Sequence, residues 1–248
     1  MNQLPGKVFK KKILITGSSS LVGTALIKFL SKNNLIFCVD QKIVKKIKSP
    51  NVNYFTSNVL NEKKLKEINK KIIKKAKNLD IIINCFIHQN YNSFENQTLN
   101  HFQKSITTNI CGVYLITKIF YKTLKKSKFA QIINFGSIYG IVSGDPKIYP
   151  TKKVTSDAYA ASKAATIQLS KYYAINLSKY NIRVNCISPG GIFNNQNKEL
   201  LKNYSKKVPN NRMANINEIV EGVNLLLNEK ASYINGHNLV IDGGYTAL

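Results

Sequence analysis

A tyrosine and a lysine four residues apart are suited to moving a proton. Tyr159 and Lys163 occur in the run Tyr-Ala-Ala-Ser-Lys, and a spacing of four places two side chains on one face of a helix. A phenol with a pKa of about 10 is a poor base at neutral pH, but a neighbouring ammonium favours its ionised form. The pair therefore predicts proton transfer, although the same spacing also fits an incidental tyrosine beside a surface lysine.

A second group of residues could hold the phosphates of a dinucleotide. The run Thr-Gly-Ser-Ser-Ser-Leu-Val-Gly extends from Thr16 to Gly23 and joins an apolar run to a helical pattern. Here Gly17 permits a tight turn, Gly23 permits close helix packing, and the free amides of the helix N-terminus face a pyrophosphate. The same candidate site includes Ser18, Ser19, Ser20, Leu21 and Val22. Two glycines alone also fit an ordinary turn between a strand and a helix.

An acidic residue discriminates between the dinucleotides. Asp40 ends the second predicted strand, 23 residues after Gly17. A carboxylate there can accept hydrogen bonds from both hydroxyls of the adenosine ribose, and it repels a 2′-phosphate. The alternative is a solvated aspartate at a strand end. We predict NAD rather than NADP as the cofactor.

The elements that must position these residues follow from the hydrophobic pattern. Short apolar runs, typical of strands buried on both faces, alternate with longer segments of helical periodicity. The predicted strands are 13–16, 35–40, 52–56, 80–86, 129–135, 182–187 and 238–241, and the predicted helices are 21–31, 61–78, 98–126, 156–180 and 216–228. This alternation predicts an α/β fold, a single doubly wound Rossmann domain over residues 1–248 with a parallel seven-stranded sheet and helices on both faces.

The charge is large but does not indicate a nucleic-acid site. Lysine and arginine number 37 against 12 acidic residues, which gives a net charge of +25, yet only Arg183 and Arg212 are arginine. Specific base and phosphate contacts usually use arginine. We therefore expect no specific nucleic acid partner, nonspecific adhesion at low salt, and attraction of anionic substrates.

Composition excludes several other classes. No apolar run approaches the length of a membrane span, and no apolar stretch with a cleavage site follows the basic segment 1–12, so we expect a cytoplasmic protein. Cys38, Cys85, Cys111 and Cys186 are widely spaced and fit reduced core thiols. The three histidines show no ligand spacing, so we predict no metal site.

Taken together, the motifs resemble those of the short-chain dehydrogenase/reductase family over nearly the whole chain. The motifs are Thr16-Gly17 with Gly23, Asp80 with Asn84, Asn109-Ile-Cys-Gly112, Gly136-Ser137, Tyr159 with Lys163, Ile182-Arg-Val-Asn185, Pro189-Gly190 and Asp242-Gly243-Gly244. The resemblance implies reversible interconversion of an alcohol and a ketone by hydride transfer with NAD. It implies catalytic roles for Ser137, Tyr159 and Lys163, and a water held in the proton relay by Asn109.

The resemblance also assigns further cofactor contacts. It implies that Asn58 and Val59 flank the adenine, that Asn84 supports the cofactor, and that Lys163 holds the nicotinamide ribose beside Tyr159. The resemblance places Pro189, Gly190, Ile192 and Asn194 along the nicotinamide. In the family the region 190–212 closes over substrate, which implies a mobile lid within the polar, flexible segment 194–207.

Three departures from the family pattern are visible. The glycine loop lacks its middle glycine, the position of which is Ser20 or Leu21 according to the alignment. Asn84-Cys85-Phe86-Ile87 replaces the usual Asn-Asn-Ala-Gly. The 21 residues between Ser137 and Tyr159 exceed the usual spacing, so segment 137–158 is predicted to be an extended active-site insert. Within it Tyr149, Lys152 and Lys153, with Ser137, are candidate substrate contacts.

The insert resembles a subgroup of flagellin-modification and legionaminic-acid pathway dehydrogenases in surface-polysaccharide biosynthesis. This resemblance implies a phosphorylated or nucleotide-linked sugar as an anionic substrate, and the tail 238–248 resembles family contacts in homodimers or homotetramers. One alternative is a 3-oxoacyl-carrier-protein reductase, although Asp40 disfavours the NADPH that such enzymes prefer. Another is a non-catalytic cofactor-binding or nucleic-acid-binding protein.

Overall fold

A parallel sheet of seven strands forms the centre of the molecule in a computed structural model, which describes residues 8–44, 46–91, 93–150 and 154–248. The strands are β1 (Lys12–Thr16), β2 (Leu35–Asp40), β3 (Val52–Thr56), β4 (Ile81–Asn84), β5 (Ala130–Phe135), β6 (Ile182–Pro189) and β7 (Asn238–Ile241). They lie in the order β3-β2-β1-β4-β5-β6-β7, and every pair is parallel. This arrangement confirms the predicted doubly wound sheet.

Helices cover both faces of the sheet. They are α1 (Leu21–Leu30), α2 (Glu62–Ala76), α3 (Leu99–Ile106), α4 (Gly112–Leu124), α5 (Asp157–Ser178), α6 (Lys198–Ser205) and α7 (Ile216–Leu227). On one face, α1 and α7 bury Leu26 and Val223 against β1 and β4. On the other face, α2 and α4 bury Ile68 and Phe120 against Leu14 and other strand residues. The isoleucine-rich strands are therefore buried on both sides, as their continuous apolar runs predict.

Strand order reverses at the boundary between β1 and β4. β1 pairs with β2 on one side and with β4 on the other. At such a reversal the connections leave in opposite directions, and a crevice opens at the carboxyl ends of the strands. The loops that follow Thr16 and Asn84 lie at this crevice.

The structure corrects two predicted elements. The helical region expected over 98–126 is divided by a π-helical turn, Thr107–Cys111, into α3 and α4. The polar, flexible segment expected over 194–207 contains α6, which begins after the N-cap Asn197. Its leucines and Tyr204 recur at helical spacing and pack against Ile148 and Met213. This burial stabilises the helix, although the polar composition of the segment had favoured a loop.

A chain of buried hydrogen bonds crosses the middle of the sheet. The Thr16 hydroxyl donates to Asn84 Oδ1 at 2.7 Å, and Asn84 Nδ2 donates to Asn134 Oδ1 at 2.8 Å. Asn134 Nδ2 then donates to Ser170 Oγ on α5 at 2.9 Å. The chain ties the strand before the glycine loop to the helix that carries Tyr159 and Lys163. We name these four residues the buried polar chain.

We predict that Asn134→Leu lowers the free energy of unfolding by about 1–3 kcal/mol, because the buried amide of Asn84 loses its acceptor. Urea denaturation measures the change. Asn176→Leu, on the exposed side of the same α5, is the control and should stay within about 0.5 kcal/mol of wild type. Equal stability of the two variants would show that the buried polar chain is not structural.

Candidate active site

A cavity of about 560 Å³ lies at the carboxyl ends of β4, β5 and β6. The lining residues are Ser20, Leu21, Val22, Cys85, Phe86, Ile87, Gln89, Tyr91, Phe135, Gly136, Ser137, Ile138, Tyr139, Ile148, Tyr149, Thr155, Tyr159, Lys163, Pro189, Gly190, Gly191, Ile192, Asn194, Gln196, Leu200, Tyr204 and Met213. The cavity thus brings together the first turn of α1, the predicted proton-transfer residues and the predicted nicotinamide loop, which are remote in sequence.

The structure brings Ser137, Tyr159 and Lys163 into one wall of this cavity. Ser156 caps α5 and accepts a hydrogen bond from the Tyr159 backbone at 3.2 Å, so Tyr159 stands in the first turn of the helix and Lys163 one turn later. All three side chains are buried. The arrangement matches the geometry predicted from the spacing of four.

Burial shifts the proton affinities of the pair in opposite ways. Burial raises the pKa of Tyr159 to about 12, while a hydrogen bond with the Ser137 hydroxyl opposes the rise. Burial lowers the pKa of Lys163 to about 8. The Lys163 Nζ donates to the Phe135 carbonyl oxygen at 2.7 Å and lies 5.6 Å from the centre of the Tyr159 ring. A positive charge at Lys163 therefore stands close enough to favour ionisation of the phenol.

Asn109 lies behind this wall, within the π-helical turn between α3 and α4. Its Oδ1 accepts from the His88 backbone N–H at 2.7 Å, and its Nδ2 donates to the His88 carbonyl at 2.9 Å. The same Nδ2 donates to Ser162 Oγ on α5 at 2.9 Å. The Asn109 side chain thus fastens the loop after β4 to the helix of Tyr159 and Lys163.

The glycine loop is shaped to admit a phosphate group. Gly17 has a φ of +71°, and a Cβ there would lie 2.2 Å from the Phe86 backbone nitrogen. A Cβ on Gly23 would lie 2.4 Å from the Gly17 carbonyl oxygen. The Ser18 hydroxyl is buried without a hydrogen-bond partner among the described residues, and the amides of the first turn of α1 lack partners within the helix. These features fit the pyrophosphate of a dinucleotide.

The missing middle glycine does not obstruct the loop. Ser20 caps α1: its Oγ accepts from the Gly23 N–H at 3.0 Å and donates to the Gly17 carbonyl at 2.7 Å. Leu21 begins the helix and keeps 40% of its surface exposed. The loop therefore closes through a serine cap where the family pattern has a glycine.

The residues predicted at the adenosine end lie outside the lining of the cavity, and Asp40 among them contacts the glycine loop. Asp40 Oδ2 accepts from the Ser19 N–H at 2.8 Å, which fixes the carboxylate next to the loop. Asn58 is exposed and accepts from the Leu60 N–H at 2.8 Å, whereas Val59 is buried. Their positions are compatible with the predicted ribose and adenine contacts.

Asn84 is placed differently from its predicted contact with the cofactor. Its side chain is buried, and both ends of its amide are engaged in the buried polar chain, with Thr16 and Asn134. A contact with a cofactor at this position would have to come from the backbone. Asn84 is best described as a support for the strand ends.

The predicted nicotinamide loop lines the opposite side of the cavity. Pro189, Gly190, Ile192 and Asn194 all contribute to the wall. The Gly190 N–H donates to the Ile241 carbonyl on β7 at 2.9 Å, and the Asn194 N–H donates to Gln196 Oε1 at 2.7 Å. Backbone bonds to the last strand thus hold the loop in place.

The insert and the region after β6 meet over the far end of the cavity. Tyr149 from the insert lines the cavity, as predicted, but Lys152 and Lys153 lie outside the described residues. Lys207 Nζ lies 2.9 Å from Asp145 Oδ2, and this contact lowers the pKa of the Asp145 carboxyl. A small apolar cluster, made of Ile148, Tyr204, Val208 and Met213, lies beneath this ion pair.

Sequence reasoning missed several lining residues. Tyr204 and Leu200 lie at helical spacing in a segment interpreted as a polar loop, and that spacing could have revealed them. Tyr91 and Gln89 follow β4 in a loop with no periodic signal. Only the fold brings that loop to the active site.

The described residues offer neither a membrane-spanning helix nor a cluster of metal ligands. Within the described residues no helix is both long and apolar enough to cross a membrane. Over the same residues no three His, Cys, Asp or Glu side chains converge in a way that could hold a metal ion.

Comparison with known proteins gives consistent matches. Residues 38–246 match a family described as enoyl-(acyl carrier protein) reductase. A 3-oxoacyl-[acyl-carrier-protein] reductase from Buchnera aphidicola is 29% identical over 96% of this chain and 89% of its own length. An NADH-dependent L-xylulose reductase from Ambrosiozyma monospora is 34% identical over 58% of this chain and 54% of its own length.

Among solved structures, a short-chain dehydrogenase from Leptospira borgpetersenii with bound NAD+ superimposes with a TM-score of 0.92 at 35% identity, over 99% of this chain and 96% of the other. The family match covers most of the chain, and the residues that carry the sequence motifs converge in one cavity. The chain belongs to the short-chain dehydrogenase/reductase family of oxidoreductases.

Proposed function

We propose that the protein interconverts a secondary alcohol and a ketone with NAD as the hydride carrier. The observation that carries the proposal is the convergence of Ser137, Tyr159 and Lys163 on one cavity wall, beside a glycine loop that fits a pyrophosphate. When bound, the nicotinamide accepts or supplies the hydride. Everything else required of the reaction is proton transfer and charge stabilisation, which these side chains can provide.

In the oxidation direction the substrate hydroxyl loses its proton to the Tyr159 phenolate as the hydride leaves the same carbon. In reduction the Tyr159 phenol returns that proton to the carbonyl oxygen. Ser137, which is hydrogen-bonded to Tyr159, would donate to the same substrate oxygen and stabilise its developing charge. A reactant positioned between the two hydroxyls therefore has a proton acceptor and a hydrogen-bond donor together.

The positive charge of Lys163 favours the ionised form of Tyr159, the phenolate, near neutral pH. Burial alone raises the pKa of Tyr159, to about 12, so an unassisted phenolate would be scarce at neutral pH. The Lys163 ammonium, 5.6 Å from the ring, and the positive ring of oxidised nicotinamide both favour the phenolate. We also propose that Lys163 donates to the nicotinamide ribose and that Asn109 contributes a water-binding position to the relay.

Asp40 supports NAD over NADP. Its carboxylate is fixed beside the glycine loop by the Ser19 amide, where a 2′-phosphate would meet its negative charge. The Leptospira relative, which was solved with NAD+, and the NADH-dependent xylulose reductase point to the same cofactor. Ser18, Ser20, Leu21 and Val22 would hold the pyrophosphate.

For the substrate we propose a sugar, phosphorylated or nucleotide-linked, from surface-glycan biosynthesis. The extended insert and its tyrosines support a sugar, and the net charge of +25 favours an anionic one. The xylulose reductase relative acts on a sugar. The Buchnera relative favours the alternative of 3-oxoacyl-carrier-protein reduction, which a reductive assay with a 3-oxoacyl thioester and NADH tests directly.

The proposal also includes a homo-oligomeric assembly and a cytoplasmic location. β7 is an edge strand, and Val240 on it and Leu248 in the tail expose 36% and 89% of their surfaces. We propose that this edge forms a homodimer or homotetramer. The cysteines carry no disulfide within the described residues, in keeping with a cytoplasmic location.

We predict that Tyr159→Phe lowers kcat by at least about a hundredfold, because the proton has no acceptor, while NADH binding persists. NADH formation at 340 nm with a panel of sugar phosphates and nucleotide sugars measures turnover, and NADH fluorescence measures binding. The control is Tyr114→Phe on the exposed side of α4. Full turnover in Tyr159→Phe would refute this role, and a protein that binds NAD without any turnover would favour the non-catalytic alternative.

For cofactor choice we expect wild type to bind NADH more tightly than NADPH, and Asp40→Asn to reduce that preference by about tenfold, since one repulsive charge is removed. Asparagine keeps an oxygen for the Ser19 N–H. Fluorescence titration with both cofactors measures the ratio, and Glu221→Gln on the exposed face of α7 controls for the net charge. An unchanged ratio in Asp40→Asn would contradict the assignment.

The depressed pKa of Lys163 predicts a pH-dependent stability. Folding lowers its pKa from 10.5 to about 8, so the folded protein carries an unfavourable buried charge below pH 8, and this penalty fades as the pH rises towards 10.5. Lys163→Met, which carries no charge, should gain stability relative to wild type at pH 7. That advantage should shrink by about 2 kcal/mol at pH 10.

Urea denaturation at the two pH values measures this difference. Lys171→Met, an exposed lysine on the same helix, is the matched control and should show the same difference at both pH values. An advantage for Lys163→Met that grows with pH would contradict the depressed pKa.

A further inference from the structure

The substrate end of the cavity is walled by four tyrosines from three separate segments. Tyr91 follows β4, Tyr139 and Tyr149 belong to the insert 137–158, and Tyr204 lies in α6; all four line the cavity. We name these four residues the tyrosine chamber. Behind it, Tyr245 stacks on Tyr204 with ring centres 5.7 Å apart. Four rings from three segments give the chamber flat aromatic walls suited to the faces of a ring-shaped ligand.

Two phenol groups of the tyrosine chamber, those of Tyr139 and Tyr149, are linked by a hydrogen bond, and the Tyr204 hydroxyl accepts from the Gly191 N–H at 2.6 Å. The Tyr149 hydroxyl donates to the Tyr139 hydroxyl at 3.4 Å and also contacts the Thr155 hydroxyl. Tyr139 is further bonded to Tyr245. Each hydroxyl has one donor and two acceptor positions and can rotate, so the network keeps unused lone pairs. Such a network suits ligand hydroxyls, which also donate and accept.

Charge is scarce on these walls. Among the described lining residues Lys163 is the only lysine or arginine, its ammonium already donates to the Phe135 carbonyl, and none is a carboxylate. A phosphate or carboxylate that entered the chamber would lose its hydration without gaining a counter-ion from these described lining residues. A purely apolar acyl chain would cover the phenol groups and leave their remaining hydrogen bonds unmade. A neutral ligand that carries several hydroxyls avoids both penalties.

Within the tyrosine chamber, Tyr91 and Tyr149 both line the cavity with Tyr159 and lie near enough to raise the pKa of its phenol. Of the two, Tyr149 has the hydroxyl whose direction the structure fixes. Its own hydroxyl is oriented from two sides, by Thr155 and Tyr139. A hydroxyl held in this way loses little freedom when it binds a ligand.

We propose that the tyrosine chamber selects an uncharged, polyhydroxylated ring and that Tyr149 is a specificity-determining residue, which hydrogen-bonds the hydroxyl on the carbon next to the one oxidised. This inference rests on the proposed oxidoreductase function and narrows its substrate. Any phosphate or nucleotide attached to the ring would extend past the rim of the chamber and would not enter it.

The test removes one hydroxyl from the substrate and, separately, one hydroxyl from the protein, and it compares the resulting losses of kcat/KM. Cyclohexane-1,2-diol and cyclohexanol differ only in the hydroxyl next to the reacting carbon, and neither carries a charge. Wild type, Tyr149→Phe and the control Tyr172→Phe, which is exposed on α5, are assayed with NAD and each probe at 340 nm. The ring of phenylalanine preserves the packing at position 149.

We expect Tyr149→Phe to lower the ratio of kcat/KM for the diol to kcat/KM for cyclohexanol by about three- to tenfold, the effect of one neutral hydrogen bond. Tyr172→Phe should match wild type with both probes. An equal loss on both probes, or no loss on either, overturns the role of Tyr149 while the oxidoreductase function stands.

A binding measurement covers the case in which neither probe is oxidised. Thermal melts of the NAD complex with myo-inositol should show stabilisation that is larger in wild type than in Tyr149→Phe. The absence of stabilisation in wild type overturns the inference, as does reduction of a 3-oxoacyl thioester by an enzyme that ignores all three ring probes. Failure of the proposed function itself would appear elsewhere, as a Tyr159→Phe variant that retains turnover.

Discussion

The hydrogen bond from the buried Lys163 ammonium to the Phe135 carbonyl is the interaction on which the active site depends. Lys163 is only 4% exposed, and an ammonium at that depth requires an acceptor. The bond, at 2.7 Å, holds helix α5 against the end of strand β5. Because Ser137 follows Phe135 by two residues and Tyr159 precedes Lys163 by one helical turn, the same contact sets the distance between the serine and tyrosine hydroxyls.

The rest of the molecule keeps α5 and β5 in register. The buried polar chain runs from the strand before the glycine loop, through Asn84 and Asn134, to Ser170 on α5. Asn109 adds a second tie, from the loop after β4 to Ser162 on the same helix. The glycine loop and the helix of Tyr159 and Lys163 are therefore joined by hydrogen-bonded interior groups, which hold their spacing more rigidly than surface contacts would.

The substrate end of the site has its own small core. Ile148 of the insert packs with Tyr204 and Met213, and the Asp145–Lys207 ion pair joins the same two segments above them. The described part of the insert and the region of α6 thereby pack against each other at the tyrosine chamber. An exposed ion pair contributes little by itself, so the apolar contacts beneath it carry most of the stabilisation. The insert thus contributes Tyr139, Ile148 and Tyr149 to the cavity wall.

Much of the fold was predictable from the sequence alone, because strands buried on both faces must be continuously apolar and helices must carry one apolar stripe. Seven strands, the glycine loop and the pairing of Tyr159 with Lys163 follow from such local patterns. The division of the helical region at 107–111 does not, and the helix Lys198–Ser205 has only the spacing of Leu200 and Tyr204 to indicate it within a polar segment. A π-turn has no periodic signature, and α6 is stabilised by partners distant in the chain.

Tertiary structure alone decided which side chains face the cavity. Sequence patterns indicated that Asn84 and Asp40 lie at strand ends. They did not indicate that the Asn84 amide hydrogen-bonds within the sheet, to Asn134, whereas the Asp40 carboxylate accepts a hydrogen bond from the glycine loop. Nor could they show that Tyr91, Tyr149 and Tyr204 meet around one cavity. Local patterns report the burial and spacing of neighbours, whereas a binding site is made where separate loops converge at the carboxyl ends of the strands.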